Sequence, residues 1–96
     1  MPGREEIEAR SKKYKPFLAG RFKVKEIGLF GSCIRGEQTE GSDVDILVEF
    51  SAPIGWEFID LKDFLESLLG LKVDLVTGGA LKPQMKDRIL QEVVYQ

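Results

Sequence analysis

Four residues whose types and spacing could do chemistry stand in the middle of the chain: Gly31 and Ser32, then, after ten intervening residues, the Asp-x-Asp of Asp43 and Asp45. Glycine lets backbone N–H groups approach an anion closely, and a hydroxyl at the start of a helix adds a donor to the helix's positive end. Gly31 and Ser32 therefore predict a phosphate cradle. Asp43 and Asp45, two apart on an extended segment, leave the same face about 6 to 7 Å apart. Two carboxylates beside the apolar run Ile46, Leu47, Val48 repel each other and resist desolvation. A divalent cation removes that conflict, and magnesium prefers few carboxylates, retained waters and phosphate oxygens.

A third carboxylate, Asp74, is flanked by valine and leucine in a later apolar segment. If the two segments are neighbouring strands, Asp43, Asp45 and Asp74 can face one spot and hold two metals roughly 3.5 to 4 Å apart. Asp74 would then assist deprotonation of an attacking hydroxyl. Arg35, one helical turn beyond Ser32, could set a guanidinium against the same phosphates. Each feature has an ordinary reading of its own: a turn, a capped strand start, an exposed strand face, a solvated arginine. Their conjunction is different, because a Gly-Ser and an Asp-x-Asp at one fixed spacing arise by chance in on the order of one chain in a thousand.

Composition narrows the chemistry further. The 96 residues describe a single domain, 1–96, at the small end of what one core can support. A net charge of −2, with no cluster of Lys and Arg interleaved with aromatics, predicts no direct nucleic-acid binding. The absence of histidine excludes Ser-His-Asp and Cys-His catalysis and histidine-ligated zinc, so carboxylates must carry any metal. Cys33 is alone and cannot form an internal disulfide, which suits a reducing compartment; it reads as a small buried residue. The N-terminus has no apolar core of the signal-peptide kind, and no apolar run approaches the roughly 20 residues of a membrane span. A cytoplasmic protein is expected.

Periodicity supplies the elements that must position these groups. The spacing predicts a helix from Arg4 to Leu18 with Gly20 as its stop, a strand from Val24 to Phe30, and a short helix in the CIRGE segment before the polar QTEGS loop. A second strand, Asp43 to Phe50, should be buried on both faces at residues 46–48. A helix from Trp56 to Leu69, closed by Gly70, leads to a third strand, Lys72 to Thr77. Leu81, Met85, Ile89 and Val93 mark one face of a last helix, with Pro83 in its first turn. Trp56, Phe64 and Met85 are expected to pack on the sheet, and the lysines and glutamates of the helices to be solvated. The order describes an α/β domain with a small mixed β-sheet flanked by helices.

The segment GSCIRGEQTEGSDVD resembles the hallmark of the minimal nucleotidyltransferase domains of the DNA polymerase beta superfamily. KEIGLFGS, SDVDILVEF, FIDLKDFLESLLGLKVDLVT and ALKPQMKDRILQEVVY extend the likeness over nearly the whole chain. The resemblance implies a polymerase beta-type nucleotidyltransferase fold with Mg²⁺ at Asp43, Asp45 and Asp74 and a nucleoside triphosphate held by Gly31 and Ser32. It also implies the antitoxin half of a toxin–antitoxin pair, in which AMP passes from ATP to a tyrosine of a helical HEPN-type RNase toxin. Larger superfamily members carry a further helical domain that helps hold nucleotide and acceptor. The sequence ends at Gln96 without one, so acceptor choice is expected to depend on a partner surface and the isolated chain to be a weak catalyst. Two other readings stay open: a nucleotide-binding antitoxin that neutralises its partner by occlusion, and transfer to a small molecule such as an aminoglycoside. Assembly with itself or with the partner is equally open.

Overall fold

The computed structural model describes residues 3–31, 34 and 43–96. Helix α1 (Arg4–Phe22) leads into strand β1 (Val24–Phe30), and β2 (Val44–Phe50) follows. Helix α2 (Glu57–Leu69), strand β3 (Val73–Thr77), a 3₁₀ turn (Gly78–Ala80), helix α3 (Pro83–Glu92) and a two-residue strand β4 (Val94–Tyr95) complete the described chain. The expected short helix in CIRGE, with Cys33 and the polar loop after it, lies outside the described residues except for Ile34.

The sheet has the order β3-β2-β1-β4, with β1 antiparallel to both β2 and β4 and β2 parallel to β3. It is mixed, as the sequence predicts. A parallel pair needs a long crossover, and α2 supplies it. β1 and β2 are the interior strands, which explains why Ile46, Leu47 and Val48 are all essentially inaccessible.

The two faces of the sheet are covered unequally. Val44, Ile46 and Val48 of β2, Ile27 and Leu29 of β1, and Val73 and Leu75 of β3 pack under α1 and α2. A bulge between Val24 and Glu26 shifts the alternation so that Val24 joins them. From α2 come Leu61, Leu65 and Leu69, a stripe at intervals of four, and from α1 come Ile7, Leu18 and Phe22. On the opposite face a smaller cluster of Phe30, Leu47 and Ile89 holds α3 to the sheet. Gly28 lies beneath this contact, where a Cβ would come within 2.5 Å of Val93 Cγ2.

Local differences from the expected elements have physical causes. Helix α1 runs through Gly20 to Phe22 and ends at Lys23, which adopts the left-handed conformation with φ 58° and donates its N–H to the Leu18 carbonyl. Burying Phe22 contributes about 1.5 to 3 kcal/mol, more than the roughly 1 kcal/mol that glycine costs inside a helix. Trp56 and Met85 are not core residues: they are 83% and 50% exposed. The buried stripe of α2 begins at Leu61, so Trp56, ahead of the first turn, lies off it. At the same helix start Glu57 Oε2 accepts the Gly55 N–H at 2.9 Å. Backbone hydrogen bonds from Glu57 itself and then from Gly55 hold this carboxyl below its ordinary value.

Candidate functional site at the start of β2

Strand register gathers the acidic residues. Val44 and Ile46 face the α1/α2 core, as do Val73 and Leu75, so the residues between them, Asp45 and Asp74, face the other side of the sheet. Asp45 and Asp74 are direct register partners across the parallel β2–β3 pair. Their backbones are thus about 4.8 Å apart, with both carboxylates on the α3 face. Asp43 directly precedes β2, two residues before Asp45, and is exposed. Asp74 is exposed and Asp45 half-buried.

Gly31 closes the site from the end of β1. Phe30 pairs with Asp45 in the antiparallel register, which brings the following residue over the Asp45 side chain. Gly31 has φ +74°, a conformation that other residues adopt only under strain, and a Cβ there would collide with Asp45 Oδ2 and lie 2.9 Å from its Cγ. The glycine is therefore required twice, for backbone conformation and for the space its hydrogen leaves to the carboxylate. Its carbonyl accepts the Ile34 N–H at 3.1 Å, the first link of the turn beyond the strand. Ser32 and Arg35, the other expected phosphate-binding residues, lie outside the described residues.

Helix α3 forms the wall that the sequence reading missed. Asp45, Gly31 and Phe30 share a cleft of about 290 Å³ with Gln84, Met85, Arg88, Ile89 and Glu92. Gln84, Arg88 and Glu92 recur every four residues, one stripe of the helix. Glu92 accepts the Gly31 N–H at 3.3 Å. Reading the glutamates of the helices as solvated passed over Glu92, and Arg88 was not among the expected site residues. The usable signal was their interval of four beside the apolar stripe of Met85 and Ile89.

A larger cavity, about 960 Å³, opens at the far ends of β2 and β3 and is lined by Phe50, Phe58, Leu75 and Leu90 among others. It contains none of Gly31, Asp43, Asp45 or Asp74. Gly31 and Asp45 line the smaller cleft, with Asp74 beside Asp45 in the sheet but, like Asp43, not in the cleft lining, and the candidate site lies at that end.

The donor set at that cleft consists of carboxylate oxygens, which suits a hard divalent cation such as Mg²⁺. Among the described residues no three His, Cys, Asp or Glu side chains gather into a metal-holding group. Asp45 and Asp74 share a register position and a face, while Asp43 sits one step outside the strand.

Comparison with known proteins identifies the family. The profile described as a nucleotidyltransferase domain matches residues 11–96. A protein adenylyltransferase, MntA, of Thermococcus cleftensis is 52% identical over 92 residues, covering 95% of this chain and 93% of that protein. A solved minimal nucleotidyltransferase superposes with a TM-score of 0.84 at 34% identity, covering 97% of this chain and 95% of the other. A mutant toxin–antitoxin complex containing MntA aligns with a TM-score of 0.69 at 26% identity, covering 90% of this chain and 70% of that one. With the glycine turn and the paired aspartates at one end of a mixed sheet, the chain belongs to the nucleotidyltransferase domain family, in its minimal form.

Proposed function

We propose that the whole chain, 1–96, acts as one nucleotidyltransferase domain that moves AMP from MgATP to a hydroxyl of a partner protein. The acceptor in this reading is a tyrosine of a HEPN-type RNase toxin, and the consequence is antitoxin activity in the cytoplasm. The observation that carries the proposal is the convergence of Gly31, Asp45 and Asp74 at one end of the sheet. The Thermococcus relative, a protein adenylyltransferase, supports transfer to protein, and the likeness to a toxin–antitoxin complex supports a toxin as acceptor.

In this reading the Gly31 turn and the Ser32 hydroxyl hold the triphosphate, with Arg35 beside it. Asp43, Asp45 and Asp74 are the catalytic carboxylates and the ones that would hold two Mg²⁺ ions, which supply charge neutralisation on the phosphates and a lowered hydroxyl pKa. The partner's hydroxyl oxygen attacks the α-phosphorus in line; the new O–P bond forms as the bond to the β-phosphate bridging oxygen breaks. Pyrophosphate leaves, and the hydroxyl proton passes to a carboxylate oxygen of Asp74. Positioning and electrostatics supply the rate, since phosphoryl chemistry asks little else of a protein.

Incubation of the chain with α-labelled ATP, Mg²⁺ and its genomic neighbour tests the proposal. Label should move to the neighbour and be lost with Asp43→Asn; no label with the unmodified chain counts against it. The exposed Trp56 and Ile59, 83% and 52% accessible, favour a second reading in which the chain neutralises its partner by covering it. Under that reading Asp43→Asn with Asp45→Asn leaves protection intact, whereas under transfer chemistry protection disappears.

A further inference from the structure

The cleft at Asp45 is rich in negative charge: Asp45 and Glu92 line it, and Asp74 neighbours Asp45 in the sheet. A nucleotide tail brings more. Among the described residues that line this cleft, Arg88 is the sole cation. It is exposed, and within the described residues it forms no hydrogen bond or ion pair, although two carboxylates share the cleft with it. The cations of α3 divide between its two flanks, since Lys86 lines the far cavity instead. Ile89, the next residue and the buried anchor of α3, sets the position from which the Arg88 side chain projects.

We propose that Arg88 binds the β- and γ-phosphates of the incoming nucleotide, making α3 the wall that faces the leaving pyrophosphate. The inference rests on the nucleotidyl-transfer reading of the site. A guanidinium presents a planar fork of donors that matches phosphate oxygens two at a time, which an ammonium cannot do. Position supports the assignment to the phosphate tail. Arg88 shares the cleft with Gly31, the start of the expected phosphate turn, and among the described residues the guanidinium has no ion pair to give up when the ligand binds.

Calorimetry on the full chain with ATP or AMP in Mg²⁺ tests this, using Arg88→Ala, Arg88→Lys and, as a control on the other sheet face, Lys62→Ala. Loss of a charge-assisted phosphate contact should weaken ATP binding roughly 10- to 100-fold in Arg88→Ala and leave AMP binding unchanged. Arg88→Lys should fall between, and Lys62→Ala should match the unmodified chain. Thermal midpoints should coincide throughout, because Arg88 is exposed and without partners among the described residues. If Arg88→Ala binds ATP normally, or loses ATP and AMP equally, the assignment is wrong while nucleotidyl transfer stands. If the unmodified chain binds no nucleotide, the transfer reading fails and Arg88 with it.

Discussion

The Cα of Gly31 lies so close to the Asp45 carboxylate that a side chain on the glycine would collide with Oδ2. The turn and the metal-binding candidate are therefore one steric unit. A φ of +74° adds its own penalty for any other residue. Gly31→Ala should cost about 1 to 3 kcal/mol of stability and displace Asp45. Because the displaced group is the carboxylate itself, labelling of the partner should fall by about a hundredfold or more. Chemical denaturation and the transfer assay measure the two effects separately. Stability loss with full activity would show that the contact is structural only.

The register match of Asp45 with Asp74 makes the opposite prediction for stability. Asp74 is exposed on an edge strand, so Asp74→Asn should change stability by no more than about 0.5 kcal/mol. As the proton acceptor it should nevertheless lower kcat by about 10² to 10⁴. Denaturation midpoints beside transfer kinetics check this. Unchanged kcat would remove Asp74 from the reaction and leave it as a solvated strand residue.

What the sequence made legible was local. The β2 run at residues 46–48 announced burial on both faces, and Gly70 announced the end of α2, where it takes φ +69°. Asp74 stood out because a carboxylate between valine and leucine breaks the pattern of its strand. Strand order was not readable, because pairing of β3 with β2 rather than β1 depends on how α2 packs. The same limit hid Glu92: its bond to the Gly31 N–H joins residues far apart in sequence. β4 was hidden because two residues carry no period. Gly20 misled, because its propensity was weighed without the burial of Phe22 that overrides it.

Glu57 gives a prediction in pH. Its carboxyl is held below the ordinary value of 4.5 by backbone hydrogen bonds from its own amide and from Gly55. A depressed folded-state value means that the unfolded chain binds the proton more readily in acid. The contribution is fully present above the unfolded value and is lost as pH falls through the folded one. The thermal midpoint of the unmodified chain should exceed that of Glu57→Gln at neutral pH. The gap should close as pH falls below 4.5 and through the lower folded-state value of Glu57. A gap independent of pH would show that packing, not charge, sets the contribution of this residue.

Ile89 is the one buried residue of α3, 6% exposed against Phe30 and Leu47, so the helix bearing Gln84, Arg88 and Glu92 is held to the sheet largely through it. Ile89→Ala should cost about 2 to 4 kcal/mol, since the cavity left beneath a surface helix can partly collapse. Its neighbour Leu90 is 40% exposed, and Leu90→Ala should cost less than about 1 kcal/mol. The two variants remove similar volumes from consecutive positions, so their difference isolates anchoring of the helix from helix propensity. Below its unfolding transition, Ile89→Ala should also bind MgATP more weakly than Leu90→Ala, because a loosened α3 no longer presents its polar stripe to Gly31 and Asp45. Denaturation curves and calorimetry at one temperature measure both effects. Equal nucleotide affinities in the two variants would show that α3 contributes a cover to the sheet and no wall to the cleft.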